Sequence, residues 1–348
     1  MKNITIQVDN TIHQAMKTLD KTAEKCLLVV DMDKKLLGTL TDGDLRRSIL
    51  AGEKFTENIS KSYNPKPTTL IQNKYSTEEA KKLLYDLNLD LIPVIDENRV
   101  VVDYVSRLNK VGENQPKKLL ANVPVVIMAG GKGTRMEPFT KILPKPLIPI
   151  QEKPIIEHII ECFTNLGCSD YYLTVNYKGK ILKAYFEELQ PDYRVQFVEE
   201  QKPLGTAGSL RLLAGRFNQP FFVTNCDIII RTDYADLYRF HQKNNFDITL
   251  VASTKEYVIP YGTCELNSDG HLSHINEKPK YDFLINTGLY VLDPKVLKLI
   301  PENRFYHITH LIENAKNQGK KVGVYPVNDD AWIDVGQWTE YQKAVKWS

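Results

Sequence analysis

From Val123 onward the chain alternates short apolar runs with amphipathic stretches, and this alternation restricts the fold more than any other feature. VPVVIMAG, YYLTVNY, YRVQFVEE, PFFVTNCD and FDITLVAST read as strands. KPIIEHIIECFTNLG, GKILKAYFEELQ, GTAGSLRLLAGRF and DYADLYRFHQKNN, set between them, read as helices. The first of these helices has Pro154 early, Ile155, Ile156, Ile159, Ile160, Phe163 and Leu166 on one side, and Gly167 at its end, the usual punctuation of a helix. Strands joined through helices pair in parallel, and a parallel sheet is covered on both faces. An α/β domain with a mostly parallel sheet is therefore expected. Such sheets take ligands at the carboxyl ends of their strands, so functional residues are sought just after each strand.

After the first strand comes Gly130-Gly131-Lys132-Gly133-Thr134-Arg135. Glycines let backbone N–H groups approach and wrap an oxyanion. Arg135 adds a forked cation matched to phosphate. Ten residues on, Lys145 sits between Pro144 and Pro146, which stiffen the loop. This is not a P-loop, because no Gly-Lys is followed by Ser or Thr. It is not a dinucleotide fingerprint either, since Met136 stands where G-x-G-x-x-G needs its last glycine.

The stretch AGGKGTRMEPFTKILPKPLIPI resembles the signature of sugar-phosphate nucleotidyltransferases, the pyrophosphorylases with a Rossmann-like, GT-A-like fold. The resemblance covers roughly 123–348 and continues in order. EEQKPLGTAGSLR is similar to the family's nucleobase and ribose loop, which implies Glu200, Pro203, Gly205, Thr206 and Ala207 as nucleotide contacts beside Gly130, Gly131, Gly133 and Thr134. TNCD resembles the N-x-D metal turn and implies Asp227. WIDVGQW implies the second metal carboxylate, Asp334. IPYGTCEL implies a sugar contact through Gly262, next to Tyr261. INEKP implies Glu277 and Lys278 for sugar hydroxyl and phosphate. INTGLYVL implies Asn286, Thr287 and Gly288. Bland readings stand beside these: Asp227 as a helix cap, Asp334 as a buried turn residue, Lys278 and Glu277 as a surface ion pair. The implied cofactor is Mg2+ or Mn2+, and the implied catalytic residues are Arg135, Lys145, Asp227 and Lys278.

The first part of the chain reads as one unit written twice. TIHQAMKTLDKTAEKCLLVVDMDKKLLGTLTDGDLRRSIL runs helix, strand, turn, strand, helix, with Ile12, Met16 and Leu19 on one helix face. STEEAKKLLYDLNLDLIPVIDENRVVVDYVSRLN repeats that order. Ser76 and Glu79 have capping-box spacing, and Leu83, Leu84 and Leu87 are its expected buried stripe. This duplication resembles a tandem pair of CBS (cystathionine β-synthase) modules, over about 1–60 and 61–118, with the transferase domain expected at 119–348. In GTLTDGDLRR the resemblance implies Thr41 and Asp44 as a site for the ribose of an adenine nucleotide. Turn and helix-cap roles are the alternative. Aligned by the turn, the second copy sets Asp103, Ser106 and Asn109 opposite Gly38, Thr41 and Asp44, which weakens the case for a second site. LNKVGENQPKKLLANVP reads as a linker. CBS pairs commonly associate, so a homo-oligomer through these modules is expected.

Bulk numbers mainly exclude. The 348 residues exceed the usual single domain. Lys+Arg 45 against Asp+Glu 43 leaves +2, too little to suggest nucleic acid as the partner. The 5 cysteines show no C-x-x-C and no zinc spacing. The start MKNITIQVDN lacks a basic and apolar leader. No apolar run approaches the roughly 20 residues of a spanning helix, so no membrane partner and a cytoplasmic location are expected. The substrates expected are a nucleoside triphosphate and a sugar 1-phosphate. The pairing of a CBS module with this domain resembles guanylyltransferases that activate glucosamine 1-phosphate for legionaminic acid-type sugars, which implies GTP and that sugar phosphate. UTP, CTP or dTTP with another sugar 1-phosphate remains open, as does a catalytically idle regulatory protein.

Overall fold

The computed structural model describes residues 4–22, 24–87, 89–106 and 119–345. The linker expected between Leu108 and Pro124 falls largely outside these residues, as do the expected 118/119 boundary and Asn109. Two compact units divide the chain: Met1–Asn114 with Thr254–Phe283, and Gln115–Ser253 with Leu284–Ser348.

In the first unit β1 (Thr5–Gln7), α1 (Ile12–Thr22), β2 (Cys26–Val30), β3 (Leu36–Thr41) and α2 (Asp42–Leu50) form the first copy. β4 (Leu70–Ile71), α3 (Thr77–Asp86), β5 (Leu91–Ile95) and β6 (Val101–Ser106) form the second. The duplication extends to register. β1 pairs parallel to β2, which pairs antiparallel to β3 with an irregularity at Val29/Val30. β4, β5 and β6 repeat this, with theirs at Val94/Ile95. Ile12, Met16 and Leu19 are buried as expected. The expected stripe of α3 is only partly right: Leu84 is buried, but Leu87 is 52% exposed. The helix stops at Asp86, and Leu87 caps it outside helical geometry, so the 3.6-residue period no longer points it inward.

The second unit begins with β7 (Val125–Met128), a short ribbon β8 (Pro149–Ile150) and β9 (Lys153–Pro154), then α4 (Ile155–Thr164), β10 (Asp170–Val175), α5 (Gly179–Leu189) and β11 (Arg194–Glu199). α6 (Gly205–Gly208), β12 (Phe221–Asn225), β13 (Ile228–Ile230), α7 (Tyr234–Lys243) and β14 (Ile248–Val258) follow. The hairpin β15 (Thr263–Leu266) and β16 (Leu272–Asn276) and the start of β17 (Lys280–Leu292) fall in the Thr254–Phe283 segment of the first unit, and the rest of β17, α8 (Ile308–Asn317), β18 (Val322–Val327), β19 (Trp332–Asp334) and α9 (Trp338–Val345) complete the second. The helix expected over 205–217 is α-helical only at Gly205–Gly208, then continues as 3-10 helix through Leu213. Two glycines in four residues make a poor α-helix.

The main sheet has seven strands in the order β11-β10-β7-β12-β17-β14-β18. β11, β10, β7 and β12 run parallel, β17 is antiparallel to β12, and β14 is parallel to β18. The alternation of side chains along a strand divides the core. Val125 and Ile127 of β7 pack with the isoleucines of α4 and with Tyr234 and Leu237 of α7. Val126 and Met128 pack on the other face with Leu210, Leu213, Ile308 and Leu311. The apolar face of α4 is legible in its sequence, and Ile155, Ile156, Ile159, Ile160 and Phe163 are all buried. β7 is thus held on both edges and both faces, which fixes the point from which the glycine loop leaves the sheet.

Candidate functional site

The three loop glycines have different causes. A Cβ on Gly130 would lie 2.5 Å from Glu200 Oε1, so a side chain there would displace the buried Glu200. Gly133 has φ +67, and an added Cβ would lie 2.9 Å from Thr140 Cγ2 and 3.1 Å from Lys145 Cβ. Gly131 would meet nothing within 4 Å. Packing requires glycine at the first and last positions and leaves the middle one facing open space. The loop then tightens into a 3-10 turn over Thr134–Met136, with Met136 buried and Thr134 and Arg135 exposed. The Thr140 hydroxyl donates to Gly133 O at 3.0 Å and pins the turn.

Lys145 lies in a 3-10 turn between its prolines, and only 8% of it is exposed. Its ammonium donates to Asp227 Oδ2 in a buried ion pair. Asp227 follows β12, the strand next to β7, and its carbonyl accepts from Val335 N at 2.9 Å. Asp334 ends β19, which pairs antiparallel with β13 so that Asp334 stands opposite Ile228. That pairing brings together two aspartates 107 positions apart in sequence. The meeting point is marked by Gly336: an added Cβ there would lie 2.5 Å from Asp227 Oδ2, 2.8 Å from Asp334 Oδ1 and 2.8 Å from Lys145 Nζ. The Asp334 carboxyl is raised above its ordinary range, chiefly by burial and further by the Asp227 charge. The Gly336 N–H, donating at 2.8 Å, and the Lys145 and Arg135 charges act the other way.

These residues fit a hard divalent cation shared with a substrate. Mg2+ is typically held by one or two carboxylates plus substrate phosphates and water, and two carboxylates meet here. Among the described residues no group of three or more His, Cys, Asp or Glu side chains is arranged to hold a metal.

The expected nucleotide loop has strong internal ties. Glu200 Oε2 accepts from Leu204 N at 2.9 Å, and burial pushes its carboxyl up. Gly205 has φ +78, and a Cβ there would lie 2.8 Å from Tyr306 O. Ala207 N and Gly208 N donate to Tyr306 O at 2.9 and 3.1 Å. Thr206 Oγ1 accepts from Ile308 N at 3.0 Å at the start of α8. Residues 304–308 therefore clamp the loop, a contact that sequence reading missed because nothing in NRFYHI signals a distant partner. Pro203 is exposed. Asn286 Nδ2 donates to Tyr290 Oη at 2.8 Å, and its Oδ1 accepts from Gly288 N. The buried Thr287 hydroxyl donates to Val251 O at 2.9 Å. Gly288, φ +90, accommodates the Asn225 amide, whose Nδ2 would be 2.4 Å from an added Cβ.

Gly262, Glu277 and Lys278 belong to the unit that contains Thr254–Phe283, not to that of Asp227 and Asp334. Within it they are neighbours: a Cβ on Gly262 would lie 2.8 Å from Glu277 Oε2. Lys278 is exposed and takes the left-handed conformation, φ +48. Thr41 and Asp44, also in that unit, are bound to each other. Thr41 N and Oγ1 donate to Asp44 Oδ2 at 2.8 and 2.6 Å, and Asp44 N donates to Thr41 Oγ1 at 3.2 Å. They form the capping box of α2.

Residues 124–347 match the family model of the nucleotidyl transferases. The chain belongs to the nucleotidyl transferase family. Residues 1–51 match the CBS domain, which covers the first of the two copies. The chain is 37% identical over 227 residues to a mannose-1-phosphate guanyltransferase of Pichia angusta, covering 61% of this chain and 60% of that protein. It is 38% identical over 222 residues to the enzyme of the same name from Yarrowia lipolytica, covering 61% and 60%. The chain thus spans about 60% of the length of these relatives. HddC from Yersinia pseudotuberculosis matches with a TM-score of 0.51 at 25% identity, over 64% of this chain and 98% of that one. The same fold recurs in a Bacillus anthracis thymidylyltransferase-like structure, TM-score 0.50 at 21% identity. Among the described residues no helix of the transferase is long and apolar enough to cross a membrane.

Proposed function

We propose that this nucleotidyl transferase moves the nucleoside monophosphate of GTP onto the phosphate of a sugar 1-phosphate, releasing pyrophosphate. The observation that carries the proposal is the convergence of Asp227, Asp334 and Lys145 beside Gly336, at the carboxyl end of the strand next to β7. The guanyltransferase relatives favour GTP as the donor.

In this reading an oxygen of the acceptor phosphate attacks the α-phosphorus, and the bond to the bridging oxygen of pyrophosphate breaks. The acceptor is a competent anionic nucleophile near neutral pH, so no side chain need remove a proton. The barrier is instead the approach of two polyanions, whose repulsion grows in a low-dielectric site. Arg135 and the Gly130–Thr134 amides hold the β- and γ-phosphates and stabilise the leaving pyrophosphate. Lys145 faces charge that develops at the α-phosphate. The acceptor phosphate is assigned to Lys278, and the sugar hydroxyls to Glu277 and the Gly262 amide, on the sequence resemblance alone. A bound Mg2+ or Mn2+, held by Asp227 and Asp334, would supply charge neutralisation between the phosphates. Catalysis is then positioning plus electrostatics. Pro203, Gly205, Thr206 and Glu200 support the nucleoside, and Asn286 and Thr287 shape the acceptor side.

Glucosamine 1-phosphate is the favoured acceptor on the strength of the CBS module preceding the transferase. Mannose 1-phosphate is the second reading, favoured by the names of the relatives. A pyrophosphate-release panel crossing four triphosphates with several sugar 1-phosphates tests both. GTP with glucosamine 1-phosphate is expected to be fastest; release with no combination would support an idle regulatory protein.

A further inference from the structure

The ion pair beside Gly336 is unusual in where its ammonium sits. Lys145 and Asp227 are each 8% exposed, and Asp334 Oδ1 borders the same point. Charges of both signs thus meet in a poorly solvated corner, where each is costly without its opposite. We infer that Lys145 is a place-holder, whose ammonium neutralises the two carboxylates in the substrate-free protein and yields to a divalent cation only when a triphosphate arrives with it. This deepens the proposed function and rests on reading Asp227 and Asp334 as the metal carboxylates.

The argument is one of partners. A cation arriving alone would gain Asp227 and Asp334 but strand the buried Lys145 ammonium, and an uncompensated buried charge is costly. A cation arriving with a triphosphate brings anionic oxygens that give Lys145 a new partner. Metal and nucleotide would then bind with positive coupling, through a side chain that each meets in a different state. Gly336 is part of the device, because a Cβ there would occupy the point that the three charged atoms surround. Lys145 in this role positions and neutralises before substrate binds, apart from its contact with the phosphates afterwards.

The test uses the full chain without nucleotide, with Mn2+ alone as the probe, read by paramagnetic resonance of free Mn2+ and by thermal midpoint. Lys145→Met is expected to lower the midpoint in chelator by roughly 5–10 °C. Millimolar Mn2+ should restore most of that loss, while moving the wild type by less than about 1 °C. Mn2+ should bind Lys145→Met at least ~10-fold more tightly than wild type. Lys145→Arg should behave as wild type, and Lys145→Met/Asp227→Asn should lose the metal response. Equal Mn2+ affinity in wild type and Lys145→Met, or no rescue by metal, would make this an ordinary structural ion pair and overturn the inference. Should Lys145→Met be isolable only in the presence of metal, the inference is supported. Should it not be isolable at all, the wild type decides: tight Mn2+ binding without nucleotide overturns the idea, and binding that appears only with GTP supports it. Pyrophosphate release reads the proposed reaction separately, so either idea can fail alone.

Discussion

At the scale of single residues, the aspartate after β12 does two jobs at once. Its carboxylate pairs with Lys145 and borders Asp334. Asp227→Asn should cut the turnover of pyrophosphate release by 100-fold or more, on the order expected when one charge-stabilising group is lost. It should also cost stability, about 3 kcal/mol, because the ammonium of Lys145 remains buried without its counter-charge. Urea titration and initial rates check the two halves; a fully active variant would remove Asp227 from the site. His241 supplies a second prediction. It is buried, with Nδ1 2.9 Å from Thr249 Oγ1, and burial pushes its pKa down to about 4 despite the Asp293 and Asp247 charges. The unfolded chain takes up a proton near 6.5 that the folded chain refuses until about 4. Stability from this group is therefore complete above 6.5 and falls as pH drops toward 4, by up to about 3 kcal/mol. Urea midpoints across that window, compared with His241→Gln, should show the wild-type slope flatten in the variant.

At the scale of elements, the clamp between α6 and residues 304–308 offers the clearest test. Gly205→Ala adds a Cβ 2.8 Å from Tyr306 O at a φ of +78, and should cost about 1–3 kcal/mol, read as a lower urea midpoint. A variant as stable as wild type would show that this loop relaxes freely. The same loop shows what a sequence makes legible. Apart from the 205–217 segment, the main-sheet strands and the helices of 123–251 announce themselves through period and punctuation, and the position of Gly130, Lys145 and Asp227 beyond strand ends follows from the sheet. Why Gly205 and Gly208 are glycines does not, because the cause is a backbone segment about 100 positions away. Gly336 was unmarked for the same reason: three charged atoms from separate segments surround it. Leu87 misled through a helix that ended one residue early. Local chemistry was readable, whereas steric causes that require the folded chain were not.

At the scale of the whole molecule, the nucleotidyl transferase family model covers residues 124–347, and the duplicated N-terminal part precedes them. Thr41 and Asp44 are spent on one another at the start of α2. Thr41→Ala should therefore cost about 1 kcal/mol as a lost cap. Whether these residues also hold a nucleotide is read from the wild type with AMP or ATP: a rise in thermal midpoint that Thr41→Ala abolishes would support the nucleotide site, and a midpoint unchanged within about 1 °C would leave the cap as their role. The thiols lead in another direction. Cys26, Cys168 and Cys226 are buried, with pKa values pushed up to about 12, and burial also raises that of Cys162. Cys264 alone among the five is exposed, on β15 two residues after Gly262. A maleimide dye should accordingly attach quickly and once per chain, which peptide mapping would verify. The molecule thus carries its own handle for fluorescence, set beside the loop where an acceptor is proposed to dock, and no cysteine needs to be engineered in or out to use it.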